Sequence, residues 1–510
     1  MTKTNSVARS LALASFGCIL ASCAMGPNFV KPKPDVPTQW SATATANGTE
    51  GAAHVTAQGG QTVAWWSTFD DPTLTSLVQQ SAGQNLDVRQ AALRIEEAQA
   101  QMAVVAGGLW PNVSANAGWS RQRLSTNTPN GAIFGLHFPG LPPTLVNPYS
   151  QYQLGLGASW TLDLFGTERR SLEAANAQAQ SALEGAHAAL LAMMSNVAAT
   201  YIDLRGAQLR RSILERSLAT QRDLLQLTRD RRNAGLTSDL DVENATAEVG
   251  TTQAEVPLAD REITIDINQL SELMARPPEA LRAQLERQQP IPPVPPEVPI
   301  GLPSDLARRR PDIRQAEANL HAATAEIGVA ISNYFPQLTL TAEGGFQAEG
   351  LSQLIQTASR FASLGPAIEL PIFEGGRLRA TVRLQRVKAK EAAVAYAQTV
   401  LAALQQVEDA LAAYGADQAR RTSLETAVTA SRSARSLARE RYQSGVASFI
   451  DVLDAERTEE QNEVSLADAQ TAVSADLVQL YRALGGGWES SDSAQQGSVT
   501  SPSKVRGMPQ

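Results

Sequence analysis

The sequence predicts a mixed α and β membrane protein with an internal tandem repeat. Each chain supplies four strands to a β-barrel shared between copies, and very long helices continue it. Three observations predict this. Residue patterns recur 210 to 225 positions apart, short segments alternate between apolar and polar residues, and two long stretches lack proline.

The chain has 510 residues, 43% apolar and 18% charged, enough for about two to four domain equivalents and too apolar for disorder. Lys and Arg number 43 against 51 Asp and Glu, a formal charge of −8, so no broad cationic face awaits nucleic-acid phosphates and no nucleic acid is expected as a partner. Aromatics are only 5%, while Ala, Gln, Leu, Glu and Arg fill long stretches, as in extended helices packed through small residues.

Residues 1–22 read as a secretory signal peptide. Lys3 and Arg9 precede an apolar run from Leu11 to Leu20 that is too short for a stable membrane-spanning helix. The run ends in Leu20-Ala21-Ser22-Cys23, similar to the lipobox of bacterial lipoproteins, whereas Cys18 follows Phe16 and Gly17 and is the poorer candidate. Cleavage before Cys23 leaves one cysteine, so no intramolecular disulfide is expected. The expected lipidation is S-diacylglycerol and N-palmitoyl at Cys23, with no cofactor. Ala24, rather than Asp, implies delivery to the outer membrane of a Gram-negative bacterium, where three acyl chains hold firmly. Residues 23–62, with Pro27, Pro32 and Pro34 and then Gly, Thr and Ala, lack periodicity and read as a lipid-anchored extended arm.

The first repeat occupies 63–276. Trp65 and Trp66 read as packing anchors, and Leu74, Leu77, Val78, Leu86, Ala92, Leu93, Ile95 and Met102 recur at roughly helical spacing. In the strands, Val113, Ala115, Ala117 and Trp119 alternate with Ser114, Asn116 and Ser120; Tyr152, Leu154, Leu156, Ala158, Trp160 and Leu162 alternate with Gln153, Gly155, Gly157, Ser159 and Thr161. From Arg169 to Asn233 a helix of about 65 residues would run roughly 97 Å. Residues 277–303, rich in proline, read as a linker. The second repeat, 304–487, offers Leu338, Leu340 and Ala342, then Leu364, Ile368 and Leu370, as its apolar alternates. Residues 488–510 read as a flexible tail.

The repeat is explicit. Arg89-Gln90-Ala91, Ala98, Ala100, Val104 and Pro111 match Arg314-Gln315-Ala316, Ala323, Ala325, Val329 and Pro336, each 225 residues later. Leu227, Arg229, Arg231, Gly235, Asp241, Val242 and Ala245 match Leu437, Arg439, Arg441, Gly445, Asp451, Val452 and Ala455 at an offset of 210. The Pro, Gly and Asn-rich segment Thr126–Pro148 lengthens the first copy between its strands. Gly235 and Gly445 stand where each long helix reverses.

Strands greasy on one face suit a barrel apolar outside and polar inside. Four strands cannot close one, and open edges are not tolerated in hydrocarbon, so several chains must share it. A dimer is conceivable; a trimer leaves more room for a lumen.

Several motifs then coincide: Trp160-Thr161-Leu162-Asp163-Leu164-Phe165-Gly166 with Arg169, Arg309-Arg310-Pro311-Asp312-Ile313-Arg314, Phe335-Pro336, Pro371-Ile372-Phe373-Glu374-Gly375-Gly376-Arg377 and Leu484-Gly485-Gly486-Gly487-Trp488. In this order the chain resembles the TolC-type outer-membrane efflux factors, in the NodT-like lipoprotein branch that partners resistance-nodulation-division pumps. The resemblance covers nearly the whole mature chain. It implies a homotrimer with a shared 12-stranded outer-membrane β-barrel, four strands per chain, continued by a long periplasmic α-helical barrel. It also implies docking to a periplasmic adaptor, the membrane fusion protein, and an inner-membrane resistance-nodulation-division pump. The implied function is the exit duct of a tripartite multidrug efflux system, passing small molecules to the exterior.

No enzyme is expected. His54, His137, His187 and His321 are scattered, without metal-ligand spacing, and no phosphate-binding loop is present. The turns are the candidate site, with Gly235, Leu236, Gly445 and Val446 as adaptor-docking tips. In the second turn the resemblance assigns Asp451 and Asp454 to acidic rings at the periplasmic entrance. Their spacing of three puts both carboxylates on one helix face, and mutual repulsion among six in a trimer would raise some pKa values. An Asp at position 451 also suits a helix cap. By the same resemblance, Asp241 holds the tunnel closed through bonds to the neighbouring turn, with Tyr442 one of its partners. Ala447 stands where the best-known member carries a gate Arg, so closure would rest on Tyr442, carboxylate hydrogen bonds, or packing at Leu236, Val446 and Phe449. Two other readings are a type I protein secretion duct and a periplasmic coiled-coil lipoprotein scaffold without a pore.

Overall fold

The computed structural model describes residues 24–33, 36–41, 55–56, 63–125, 127–128 and 148–489. The signal peptide, Cys23, most of the Thr126–Pro148 segment and residues 490–510 lie outside the described residues. In chain order the elements are β1 (Val55–Thr56), a 3-10 turn (Trp65–Phe69), α1 (Pro72–Gln84), α2 (Leu86–Gly107), β2 (Asn112–Gln122), β3 (Tyr149–Leu162), α3 (Thr167–Asn233) and α4 (Asp239–Leu273). There follow α5 (Arg282–Leu285), β4 (Val298–Pro299), α6 (Pro303–Arg309), α7 (Pro311–Ser332), β5 (Gln337–Ala348), β6 (Arg360–Glu369), α8 (Arg377–Gln443) and α9 (Phe449–Leu484). The long helices α3 and α8 are 67 residues each, and both their ends are related by the 210-residue offset.

Compactness divides the chain differently from the repeat. One unit takes the described residues up to Lys31 with 97–179 and 318–393; the other takes those of 32–96, 180–317 and 394–489. Each draws on both repeats, because backbone groups must find partners and the strands of one copy find them in the other.

The first unit holds an antiparallel sheet in the order β2-β3-β5-β6. Its register places Val113 opposite Ala158, Ala115 opposite Leu156, Leu154 opposite Phe346, Trp160 opposite Leu340 and Leu338 opposite Ile368. Directly opposed residues share a face, so one continuous apolar face crosses all four strands. The other face carries Ser114, Asn116, Gln153, Thr161, Thr339 and Glu343. Val113, Trp119, Leu156, Leu364 and Ile368 are exposed. Among the described residues no further strand pairs with β2 or β6. The recognition motifs build the strand-to-helix junctions. Asp163 accepts from the backbone N–H and Nε of Arg169, both at 3.0 Å, and Trp160 Nε1 donates to the Leu109 carbonyl at 3.0 Å.

The second unit has a core around Trp40, Trp65, Trp66, Phe69, Tyr201, Tyr414, Leu477 and Tyr481. Trp65 and Trp66 are buried anchors, and Trp65 stacks on Tyr481 with centroids 5.5 Å apart. Arg310 grips both carboxylate oxygens of Asp312 and donates to the Ala483 carbonyl at 2.8 Å, closing the end of α9.

Three sequence expectations change. The first helical segment breaks at Asn85, whose Oδ1 accepts from the N–H groups of Asp87 and Val88, and Leu86 and Leu93 are exposed in the single chain. Within the arm, Val55 and Thr56 lie parallel to Val298 and Pro299. The segment 277–303 is more than a linker, since Leu281, Leu285, Val298 and Ile300 enter the core; its prolines set an extended path but its aliphatic residues bury. Trp488 does not belong to a flexible tail. It is buried, stacked on His187 at 4.3 Å with the Arg314 guanidinium 5.0 Å from its ring centroid. Pro257 lies inside α4.

Candidate functional site

The two helical turns, both in the second unit, share one backbone frame. In each, a glycine with φ near +75° follows the long helix: Gly235 at +75° and Gly445 at +78°. The N–H groups of Leu236 and Val446 donate back to the Arg231 and Arg441 carbonyls, and those of Gly235 and Gly445 to Arg232 and Tyr442. This is the Schellman closure, in which a left-handed C′ residue satisfies the orphan carbonyls. The return helix then starts with a capping box. Ser238 accepts from the N–H of Asp241 while Asp241 accepts from the N–H of Ser238, and Ser448 and Asp451 do the same.

Within that frame the side chains differ. Beside the first turn Arg232 pairs with Asp239 at 2.6 Å on the surface. The residues 210 positions later are Tyr442 and Phe449, which are buried with ring centroids 6.0 Å apart, in a small core with Leu224, Leu225, Ala245, Val452 and Leu453. Arg231 joins the two hairpins. Its Nη1 donates to the Tyr442 carbonyl at 2.9 Å and its guanidinium carbon lies 4.5 Å from the Tyr442 ring centroid. Leu236 is 66% and Val446 68% exposed, so the tips present apolar side chains outward.

Asp451 and Asp454 are both exposed, on one face of α9. Hydrogen bonds from the Ser448 hydroxyl and backbone hold the Asp451 carboxyl below its ordinary value, with Arg441 adding to the effect. Within one chain the shift is therefore opposite to the rise anticipated from crowded acids, because Asp451 serves as a cap. Burial alone would raise Asp241, but bonds from Thr237 and Ser238 bring it below the ordinary value. The expected Asp241–Tyr442 bond is not made within the chain: Asp241 is engaged by Thr237 and Ser238, and the buried Tyr442 hydroxyl has no hydrogen-bond partner among the described residues. Cys23 lies outside the described residues. Arg231 was not singled out from sequence as a site residue. The repeat matches it to Arg441, and nothing in the pattern says that only one of the two meets an aromatic ring. Among the described residues no group of three or more His, Cys, Asp or Glu could hold a metal ion, and no helix is long and apolar enough to cross a membrane.

The family described as outer membrane efflux protein matches residues 77–276 and 302–486. The chain belongs to this family. Like its relatives this efflux protein is a transport channel component of the Gram-negative outer membrane, not an enzyme. Nodulation protein T of Rhizobium leguminosarum bv. viciae is 34% identical over 479 residues, 94% of this chain and 93% of its own. The probable efflux pump outer membrane protein TtgC of Pseudomonas putida is 32% identical over 504 residues, 97% of this chain and 98% of its own. The solved outer-membrane channel OprN superposes with a TM-score of 0.82 at 35% identity, covering 92% of this chain and 100% of that one. The fold is thus that of a TolC-type channel.

Proposed function

We propose that three copies of this chain close a 12-stranded barrel and form the exit duct of a tripartite multidrug efflux system. The observation that carries it is the four-stranded sheet, whose one face is apolar between rim residues such as Arg121 and Arg360 and whose two edges have no partner strand among the described residues, which further copies can complete in a membrane. Diacylglycerol and palmitoyl groups on Cys23 anchor each chain to the outer membrane. The exposed tips at Leu236 and Val446 dock a periplasmic adaptor that links the duct to an inner-membrane resistance-nodulation-division pump. Asp451 and Asp454, brought together by threefold symmetry, ring the periplasmic entrance and favour cations. Tyr442, Phe449 and Arg231 hold the inner turn, the one after α8, and Asp241, in the outer turn after α3, holds the tunnel closed through bonds to the neighbouring inner turn.

The test is planar-bilayer conductance of the mature protein beside Asp451→Ala/Asp454→Ala. Small cation-selective currents that grow or lose selectivity in the variant are expected. Currents unchanged by the substitutions would remove the acidic entrance while leaving the duct. A protein that forms no heat-modifiable, dodecyl-sulfate-resistant oligomer would count against the duct itself.

A further inference from the structure

Two turns along α9 from Phe449, the buried stripe of that helix meets a carboxyl group with no partner. Glu456 is 6% exposed, and neither of its oxygens has a hydrogen-bond partner among the described residues. It lines a cavity of about 440 Å³ between α3, α8 and α9, shared with Arg216, Gln221, Arg435, Glu460 and Glu463. The cations around it are committed elsewhere. Arg435 pairs with Glu459 at 2.6 Å, Arg432 with Glu463 at 2.5 Å, Arg216 with Glu463 at 3.4 Å, and Arg457 of α9 with Glu248 of α4 at 2.5 Å. Of the remaining charges, Arg439 of α8 faces Glu456 without an ion pair to it. Its neighbour Glu460 ties α9 to α3 by accepting from Ser217 and from Gln221 Nε2 at 3.0 Å.

A buried carboxylate without a counter-ion or donor is costly, and the cheap remedy is a proton. Burial pushes the Glu456 carboxyl up to about 7; Arg439 and Arg435 oppose this, while Glu459 and Glu248 reinforce it. We propose that Glu456 is a positioning residue of the gate: protonated, it lets α9 seat against α3 and α8, and ionised, it loosens that seat and frees the inner turn. This rests on the gate reading above. The link is mechanical, since Phe449, Val452 and Glu456 lie on one buried face of the helix that carries Asp451 and Asp454.

The sign follows from linkage. The seated state holds the proton up to about pH 7, whereas a hydrated Glu releases it near 4.5. Seating is therefore fully favoured below 4.5 and is lost as pH rises through 7. Between pH 6 and 8 the unseated fraction should rise roughly tenfold per protomer.

The experiment pairs bilayer conductance with hydrogen exchange of segment 449–463, both on the full mature protein, at pH 6 and 8. Expected are a pH step in both for the wild type, no step in Glu456→Gln, which stays at the pH 6 level, and a step moved to higher pH in Arg439→Gln. The Arg439 variant serves if Glu456→Gln fails to assemble. No step in the wild-type exchange, or a wild-type step persisting in Glu456→Gln, overturns the proposal; a surviving current step would assign the pH response to Asp451 and Asp454 instead. If exchange shows a Glu456-dependent step but no current passes at any pH, the gate reading fails and the seating of α9 stands.

Discussion

The turn after α3 and the turn after α8 descend from one module, and they have diverged in their side-chain contacts. Both keep the left-handed glycine, the Schellman bonds and the Ser-Asp capping box. At the equivalent pair of positions, one turn has the surface ion pair Arg232–Asp239 and the other the buried rings Tyr442 and Phe449. Exposed ion pairs contribute little, whereas buried aromatics bring large apolar area and a defined geometry. The backbone frame thus makes a reversal anywhere, and the side chains decide which reversal is tied into a core. The first turn thus carries its distinguishing pair at the surface, and the second is tied into a small core and to Arg231 of the first.

The largest expected effect is Phe449→Ala, which should cost about 3 to 5 kcal/mol of local stability, read as lost hydrogen-exchange protection in the second turn. Asp239→Ala, at the equivalent position, should leave protection of the first turn unchanged, and equal losses would break the comparison. Next is Arg231→Ala. Loss of its charge-assisted bond to the Tyr442 carbonyl should weaken the turn after α8 by about 1.5 to 3 kcal/mol and enlarge the conductance, while Arg441→Ala should do neither.

Gly235→Ala and Gly445→Ala should each cost about 1 to 2 kcal/mol in thermal unfolding. The two costs should match, since no atom comes within 4 Å of a Cβ added at either site and only the positive φ is at stake. Unequal costs would show that the shared frame is not equivalent in solution. The smallest effects belong to the caps. Ser238→Ala and Ser448→Ala should each cost about 1 kcal/mol. Because the Asp241 and Asp451 carboxyls sit below their ordinary 3.8, what they contribute is present above that pH and is lost as pH falls through their lower folded values. Acid titration of hydrogen exchange should show both turns loosening together, and the serine variants should lack that limb.

Much of this was legible before any coordinates. Strand alternation such as Val113, Ala115, Ala117 and Trp119 gave the apolar face, because a period of two admits only one assignment of sides. The absence of proline marked α3 to within two residues of its start, and repeat matching paired Gly235 with Gly445. Trp488 was misread because a Trp after three residues ending in glycines looks like a terminus, when its ring closes over His187 from 301 positions earlier in the sequence. The buried aliphatics of 277–303 were hidden by their prolines. Arg231 and Glu456 were not singled out because each looks like any charged residue of an amphipathic helix. What distinguishes them is a partner found, or missing, on another helix.

Sequence alone determined the repeat, the strand faces, the long rods and the glycine reversals, because these depend on periodicity, backbone sterics and local hydrogen bonding, all carried by neighbours in the chain; the family was legible through the resemblance of its ordered motifs. Tertiary structure alone decided that compact units cut across the repeats, that Tyr442 is clamped by Arg231, and that Glu456 is left without a hydrogen-bond partner among the described residues. Those outcomes depend on which side chains from distant helices reach the same few ångströms first, and in a low-dielectric interior that allocation sets which charges are paired and which must take a proton.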